Sequence, residues 1–197
     1  MLAQDLGVER EQSWLFRGVS FEVHAGELWY VRGPNGVGKT TLLSALAGVR
    51  ALSEGRRHCS VPVAWIPSQG VHITELSLEE HLSYLYALRN KSPLSVSQLK
   101  VALTQWGLES LGDHPLNRLS QGQRQRGHLS HLSLMPSRSL WLLDEPDTGL
   151  DTPGLNKLKD CLDHHLLAGG AVMMATHRSN WNVSGKLKTM TLGVTDG

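Results

Sequence analysis

The chain has 197 residues, 40% of them hydrophobic and 19% charged, and a formal net charge of +1. That length suits one sizeable domain with a small appended subdomain, and the even charge balance excludes the polyanion-binding signal of a nucleic-acid protein. Cys59 and Cys161 stand in no metal-ligand spacing and the start, "MLAQDLGVER", lacks the basic and apolar regions of a signal peptide, so a cytosolic chain with reduced thiols is expected.

In chain order, "LFRGVSFEVHAGE" (15 to 27) interleaves polar and apolar residues and predicts sheet. The block "LWYV" (28 to 31) is short enough for a buried strand, and it leads through "GPNGVGKTT" (33 to 41) into the helical pattern "TLLSALAG". A second block, "VAWI" (63 to 66), follows. From Ser77 to Trp106 the pattern turns helical: Ser77 with Glu80, and Ser95 with Gln98, have the spacing of an N-cap and its reciprocal partner, Pro93 separates the two helices and Gly107 closes the second. "LWLL" (140 to 143) and "AVMMA" (171 to 175) are further strand blocks, whereas "LKTMTLGV" at the end alternates and is expected, together with "LFRGVSFEVHAGE", in a small antiparallel addition. The resulting fold class is α/β, a mainly parallel core sheet with a small antiparallel β part and a helical subdomain inserted at about 72–135, all within one domain spanning 1–197. The apolar runs fall far short of the roughly 20 residues of a spanning helix, so membrane contact is expected only through a partner.

Two stretches carry chemistry. Gly33, Gly38, Lys39 and Thr40 have P-loop spacing between a strand block and a helix. Its glycines, with Pro34, Asn35, Gly36 and Val37 between and Thr41 behind, let backbone amides converge on phosphate oxygens at a helix N-terminus. Lys39 would reach the β and γ phosphates, and the Thr40 hydroxyl would meet Mg²⁺. In "SLWLLDEPD", Asp144 at the strand end can hold the Mg²⁺ shell, and Glu145 beside it can orient or deprotonate an attacking water. The same pair would also serve as acidic residues at a helix start.

Between these stretches lies "LSQGQRQR" (119 to 126). Ser120 and Gln123 again fit a helix cap. Set between a P-loop and "LWLLDE", the stretch also resembles the signature motif of the ATP-binding cassette (ABC) proteins, and the resemblance then covers nearly the whole chain. Gln69 matches the family's Q-loop, "TGLD" (148 to 151) its D-loop, and His177 in "ATH" its switch histidine. The resemblance implies an ATP hydrolase working as a homodimer, in which Ser120, Gly122 and Gln123 of one chain face the nucleotide in the P-loop of the other. It further implies that Gln69 touches Mg²⁺ or the attacking water, that Glu145 is the base, that His177 contacts the γ-phosphate and that Asp151 orders the facing site. Asp151 is also readable as a helix-start residue, with Thr152 as cap and Pro153 as the first helical residue. Two departures stand out. Gln121 replaces the usual glycine of the signature, and the aromatic expected near Arg10 to stack on the base is missing. Trp14 is one candidate for that role and the Arg10 guanidinium plane the other, which leaves ATP over GTP open.

The short run "VRALSEGRRHCSVP" between P-loop helix and Q-loop strand, together with "WIPSQ" and "LSLEEHL", is similar to the ATPase subunits of bacterial cytochrome c maturation, the haem exporter type. That implies a peripheral protein on the cytoplasmic face of the inner membrane, working on an integral membrane subunit that it touches near Gln69, His72 and Glu75. No haem-attachment pattern occurs in this chain. The alternatives are the ATPase of another small ABC exporter, a small-molecule P-loop kinase, a cytosolic cassette protein and a scaffold that binds ATP without cleaving it.

Overall fold

The computed structural model describes residues 1–68, 75–178 and 181–193. The chain divides into two compact units, Met1–Ser68 with Pro136–Pro146 and Leu162–Gly197, and Gln69–Met135 with Asp147–Cys161.

The first unit opens with an antiparallel hairpin, β1 (Leu2–Arg10) and β2 (Ser13–Glu22), followed by β3 (Glu27–Arg32) and, after the P-loop, helix α1 (Lys39–Ala47). Next come β4 (Glu54–His58) and β5 (Val63–Ile66). Strands β6 (Leu140–Asp144), β7 (Ala171–Ala175) and β8 (Lys186–Thr191) complete the unit. Five strands form a parallel sheet in the order β5-β6-β7-β3-β8, and β2-β1-β4 form a separate antiparallel sheet. Every residue of β6 and β7 is buried, which is why both read as unbroken apolar runs: an inner strand of a covered parallel sheet has no solvent face. Helix α1 lays Leu42, Leu43, Ala45 and Leu46 into a core that also takes Leu6, Phe16, Val31, Leu142 and Met173.

The four strand blocks expected from the sequence form β3, β5, β6 and β7. One expectation is corrected. The final "LKTMTLGV" stretch does not join an antiparallel addition; β8 is the edge of the core sheet and runs parallel to β3, with Glu27 opposite Lys186. Alternation reports one-sided burial, and an edge strand has that whichever way its neighbour runs. Lys188 Nζ pins this edge at 2.6 Å from Glu27 Oε1, a carboxylate buried within the unit. Two strands were not legible in the sequence. Strand β1 is broken by register shifts, with Asp5 at φ 49°, and β4 is "EGRRH", an edge strand whose charges hide the alternation.

In the second unit, α2 (Leu78–Asn90) and α3 (Val96–Trp106) begin at the expected caps, and α4 (Gln121–Leu129) begins at Ser120. Gly107 ends α3 in the left-handed region, as read. The unit also takes in Asp147–Cys161 and so the start of α5 (Thr152–Leu167). Within it Lys157 Nζ donates to the Gln105 carbonyl at 3.1 Å, and the Gln121 side chain lies over Gly149. Among the described residues no helix is long and apolar enough to cross a membrane.

Two histidines, His165 buried and His131 half-buried, are expected to make the fold acid-sensitive. Burial pushes His165, stacked on Trp141 with ring centroids 3.6 Å apart, down to about 4. Burial and the nearby His81 and Arg89 do the same to His131, also to about 4. In the unfolded chain both rings protonate near pH 6.5. Between that value and about 4 the unfolded state therefore binds more protons, and stability present above pH 6.5 is lost as the pH falls through this window. The loss is expected to be about 3 kcal/mol for His165 and less for the half-buried His131, where solvent screens the charge. The urea midpoint should drop between pH 6.5 and 4; an unchanged midpoint across that range would contradict the assignment.

Candidate active site

Three neighbouring strands of the core sheet, β6, β7 and β3, end at one edge, the position where parallel α/β sheets bind ligands. After β3 the P-loop turns back on itself. Gly33 has φ 142°, and a Cβ there would stand 2.7 Å from the Leu192 carbonyl oxygen. Gly38 caps α1 at φ 103°, with no side chain to occupy the helix N-terminus. Both conformations are rarely adopted by residues with a side chain, and a glycine at each lets the backbone of the turn come close to an anion at the helix start; the Val37 amide donates within the loop, to the Pro34 carbonyl at 3.4 Å. Val37 is 8% exposed and belongs to the core, so it has only its backbone to offer. Asn35 and Gly36 are exposed, and Thr41 is half-buried in the first turn of α1.

Lys39 Nζ lies 2.9 Å from both the Gly33 and Pro34 carbonyl oxygens, folded onto the loop it serves. Thr40 Oγ1 donates to Asp144 Oδ2 at 2.8 Å, joining the helix start to the end of β6. Asp144 is 2% exposed. The next residue, Glu145, has φ 48°, and its amide donates to the Ala175 carbonyl at 2.8 Å. This turns its carboxylate toward His177, whose Nε2 lies 3.5 Å from Glu145 Oε1. An open cavity of about 340 Å³ joins the P-loop to Asp144 and Glu145 and is lined on its other side by Arg10 and Leu15. Trp14 is not among the lining residues; its ring packs against the Arg17 guanidinium, 4.6 Å away, and over Gly7. Leu15 carries no signal in the sequence for this place, where an aromatic or guanidinium plane is expected.

The other expected site residues belong to the second unit. Ser120 Oγ accepts the Gln123 amide at 3.2 Å, and Gln123 Oε1 accepts the Ser120 amide at 2.8 Å. Cap and signature are therefore compatible readings of one serine: the cap uses a lone pair of the hydroxyl and leaves its proton to donate elsewhere. Gly122 approaches the Gly149 carbonyl so closely that a Cβ would stand 3.1 Å from it. Asp151 Oδ1 accepts the Gly154 amide at 2.9 Å. Asp151 is itself the cap of α5, which corrects the expectation of Thr152 in that role and makes Thr152 the first helical residue. Gln69 and His72 lie outside the described residues.

As a ligand set for a cation, Thr40 and Asp144 offer two hard oxygens close together. Among the described residues no group of three His, Cys, Asp or Glu side chains could hold a metal by itself. That composition suits an ion that brings ligands with it as phosphate oxygens and water.

A sequence profile described as ABC transporter matches residues 16–148. The cytochrome c biogenesis ATP-binding export protein CcmA 2 of Cupriavidus metallidurans is 36% identical over 188 residues, 89% of this chain and 88% of that protein. CcmA of Bordetella bronchiseptica is 37% identical over 188 residues, covering 89% and 83% respectively. Among solved structures, an ATP-binding subunit of an ABC transporter superposes with a TM-score of 0.78 at 25% identity, covering 89% of this chain and 78% of that one. A dimeric ATP-binding cassette in a post-hydrolysis state with ADP and Pi shares the fold, with a TM-score of 0.78 at 20% identity over 90% of this chain and 88% of that one.

Proposed function

The chain belongs to the ABC transporter family as an ATP-hydrolysing, ATP-binding subunit, and from that premise we propose that two copies close on two ATP molecules to drive a membrane subunit of cytochrome c maturation. The observation that carries the site assignment is the Thr40–Asp144 bond, which brings the P-loop helix and the carboxylate strand to one point beside Lys39 and Glu145. The cytochrome c reading is supported by the names of relatives that match along most of their length.

In this scheme Lys39 leaves its two carbonyl partners for the β and γ phosphates, replacing neutral acceptors by anionic ones. Thr40 and Asp144 would hold Mg²⁺, with Gln69 as a further contact to the ion or the water. When bound, that ion neutralises charge on the phosphate oxygens. Glu145 takes the proton of the attacking water, and His177 donates to the γ-phosphate. The Arg10 guanidinium, beside Leu15 on the cavity wall, is the stacking plane for the base in place of Trp14.

Ser120, Gly122, Gln123 and Asp151 serve the nucleotide of the partner chain, so a twofold pair holds two composite sites. The membrane subunit holds the pair at the cytoplasmic face of the inner membrane, and the whole of 1–197 acts as one ATPase domain with its helical subdomain as the coupling arm. The experiment is a mixed dimer. Lys39→Ala removes the phosphate contact of one chain. Gly122→Asp places a carboxylate where an anion should dock, at a helix start that tolerates acid. Each variant alone is expected to be inactive. The doubly tagged mixed dimer keeps one intact site of two and should recover about half the wild-type rate. No recovery in a verified mixed dimer would overturn the composite site.

A further inference from the structure

Arg32 has no part in the scheme above, yet it stands directly before the P-loop. Strands β3 and β7 pair up to Val31 and Ala175, and one residue later they diverge. The first enters the P-loop at Gly33, and the second enters the loop that carries His177. Arg32 spans the divergence. Its Nη1 donates to the Thr176 carbonyl at 2.6 Å and its Nη2 to the Arg178 carbonyl at 3.0 Å, so one guanidinium holds the backbone on both sides of His177. The guanidinium lies 4.7 Å from the centroid of the Tyr30 ring. Tyr30 Oη accepts the Trp181 amide at 3.2 Å, and Thr176 Oγ1 accepts the Arg178 amide at 3.1 Å. A planar fork with two acceptors and a stacked face fixes orientation as well as position, which a flexible ammonium does not.

We propose that Arg32 is a positioning residue for ATP hydrolysis, setting the His177 ring where it meets both Glu145 and the γ-phosphate. The inference rests on the reading of His177 as the γ-phosphate contact. It differs from a plain structural tie between two strands, because its effect on turnover passes through His177 alone. Displacing a group that must meet a reacting oxygen costs rate even when the fold survives.

The test is a double-mutant cycle on the full-length protein, reading kcat and KM for ATP and the thermal unfolding midpoint. Arg32→Ala is expected to lower kcat about tenfold and to leave KM within about twofold. Once His177→Ala has removed the positioned group, replacing Arg32 should change kcat by less than about twofold. Arg32→Lys keeps the charge but not the fork, should behave nearly as Arg32→Ala does, and carries the test if the alanine variant fails to fold. Equal fold-losses in both His177 backgrounds would overturn the proposal, as would wild-type kcat in Arg32→Lys. Wild-type kcat in His177→Ala alone would instead remove the reading of His177 on which the inference stands, and the inference with it.

Discussion

Glu145→Gln is expected to cut ATP hydrolysis by about 10²-fold or more while ATP binding stays within a few-fold of wild type. The substitution is nearly isosteric, so the turn, the amide bond to Ala175 and the cavity wall survive it. What it removes is a group able to accept a proton from water. Where Glu145 sits strengthens the expectation. Five non-glycine residues among those described have positive φ: Asp5, Glu11, Gln12, Lys91 and Glu145. Asp5 lies at a strand irregularity, Glu11 and Gln12 form the β1–β2 turn, and Lys91 ends α2. Glu145 has no such local account; it follows a fully buried strand, and its unusual backbone points a carboxylate at His177. Strain of this kind costs on the order of 1 kcal/mol and persists where the surroundings over-determine it. Phosphate release and filter-retained ATP, measured side by side, check the claim. Near wild-type turnover would dismiss Glu145 as the base. If binding holds while turnover stops, the closed dimer should persist long enough to be captured from solubilised membranes with its integral partner, which also tests the cytochrome c reading.

Much of this site was legible because its chemistry is written in adjacent residues. The P-loop needs glycines at Gly33 and Gly38 next to Lys39 and Thr40, and the sequence states that requirement directly. The capping boxes were legible for the same reason, since a cap and its partner lie three residues apart. Legibility fails where a role depends on through-space neighbours. Arg32 is an unremarked arginine in sequence, and it gains its part from the divergence of β3 and β7 and from carbonyls 144 and 146 positions away. Leu15 shows itself only once the β1–β2 hairpin brings it beside the P-loop. The same limit explains β8: the alternation in "LKTMTL" gives the exposed face but not the neighbour, and an ion pair between Glu27 and Lys188 helps fix it to β3. Asp151 was readable both as a dimer contact and as a helix-start residue. Its bond to the Gly154 amide establishes the second role and leaves its other oxygen for the first.

Trp106→Ala is expected to cost about 3 to 5 kcal/mol of stability, a large part of what a domain of this size possesses. Trp106 is fully buried near the end of α3, its Nε1 donates to Ser133 Oγ at 3.0 Å, and its own carbonyl accepts from Arg126 at 3.2 Å. Truncation therefore opens a cavity and takes the partner from a hydroxyl at once. Trp106→Phe keeps most of the ring volume and loses the N–H bond, so about 1 to 2 kcal/mol is expected for it. The functional consequence follows from how the site is divided. In the proposed scheme ATP binding relies on P-loop residues of the first unit, whereas turnover also requires Ser120 and Gly122 of the second, at the start of α4. Loosening the second unit should therefore depress hydrolysis far more than binding at temperatures where the P-loop unit remains folded. Urea unfolding of the two variants, run beside ATP binding and phosphate release, measures both halves of the expectation. If Trp106→Ala lost binding and turnover in equal proportion, recruitment of the second unit to the partner's nucleotide would no longer be needed to explain the site.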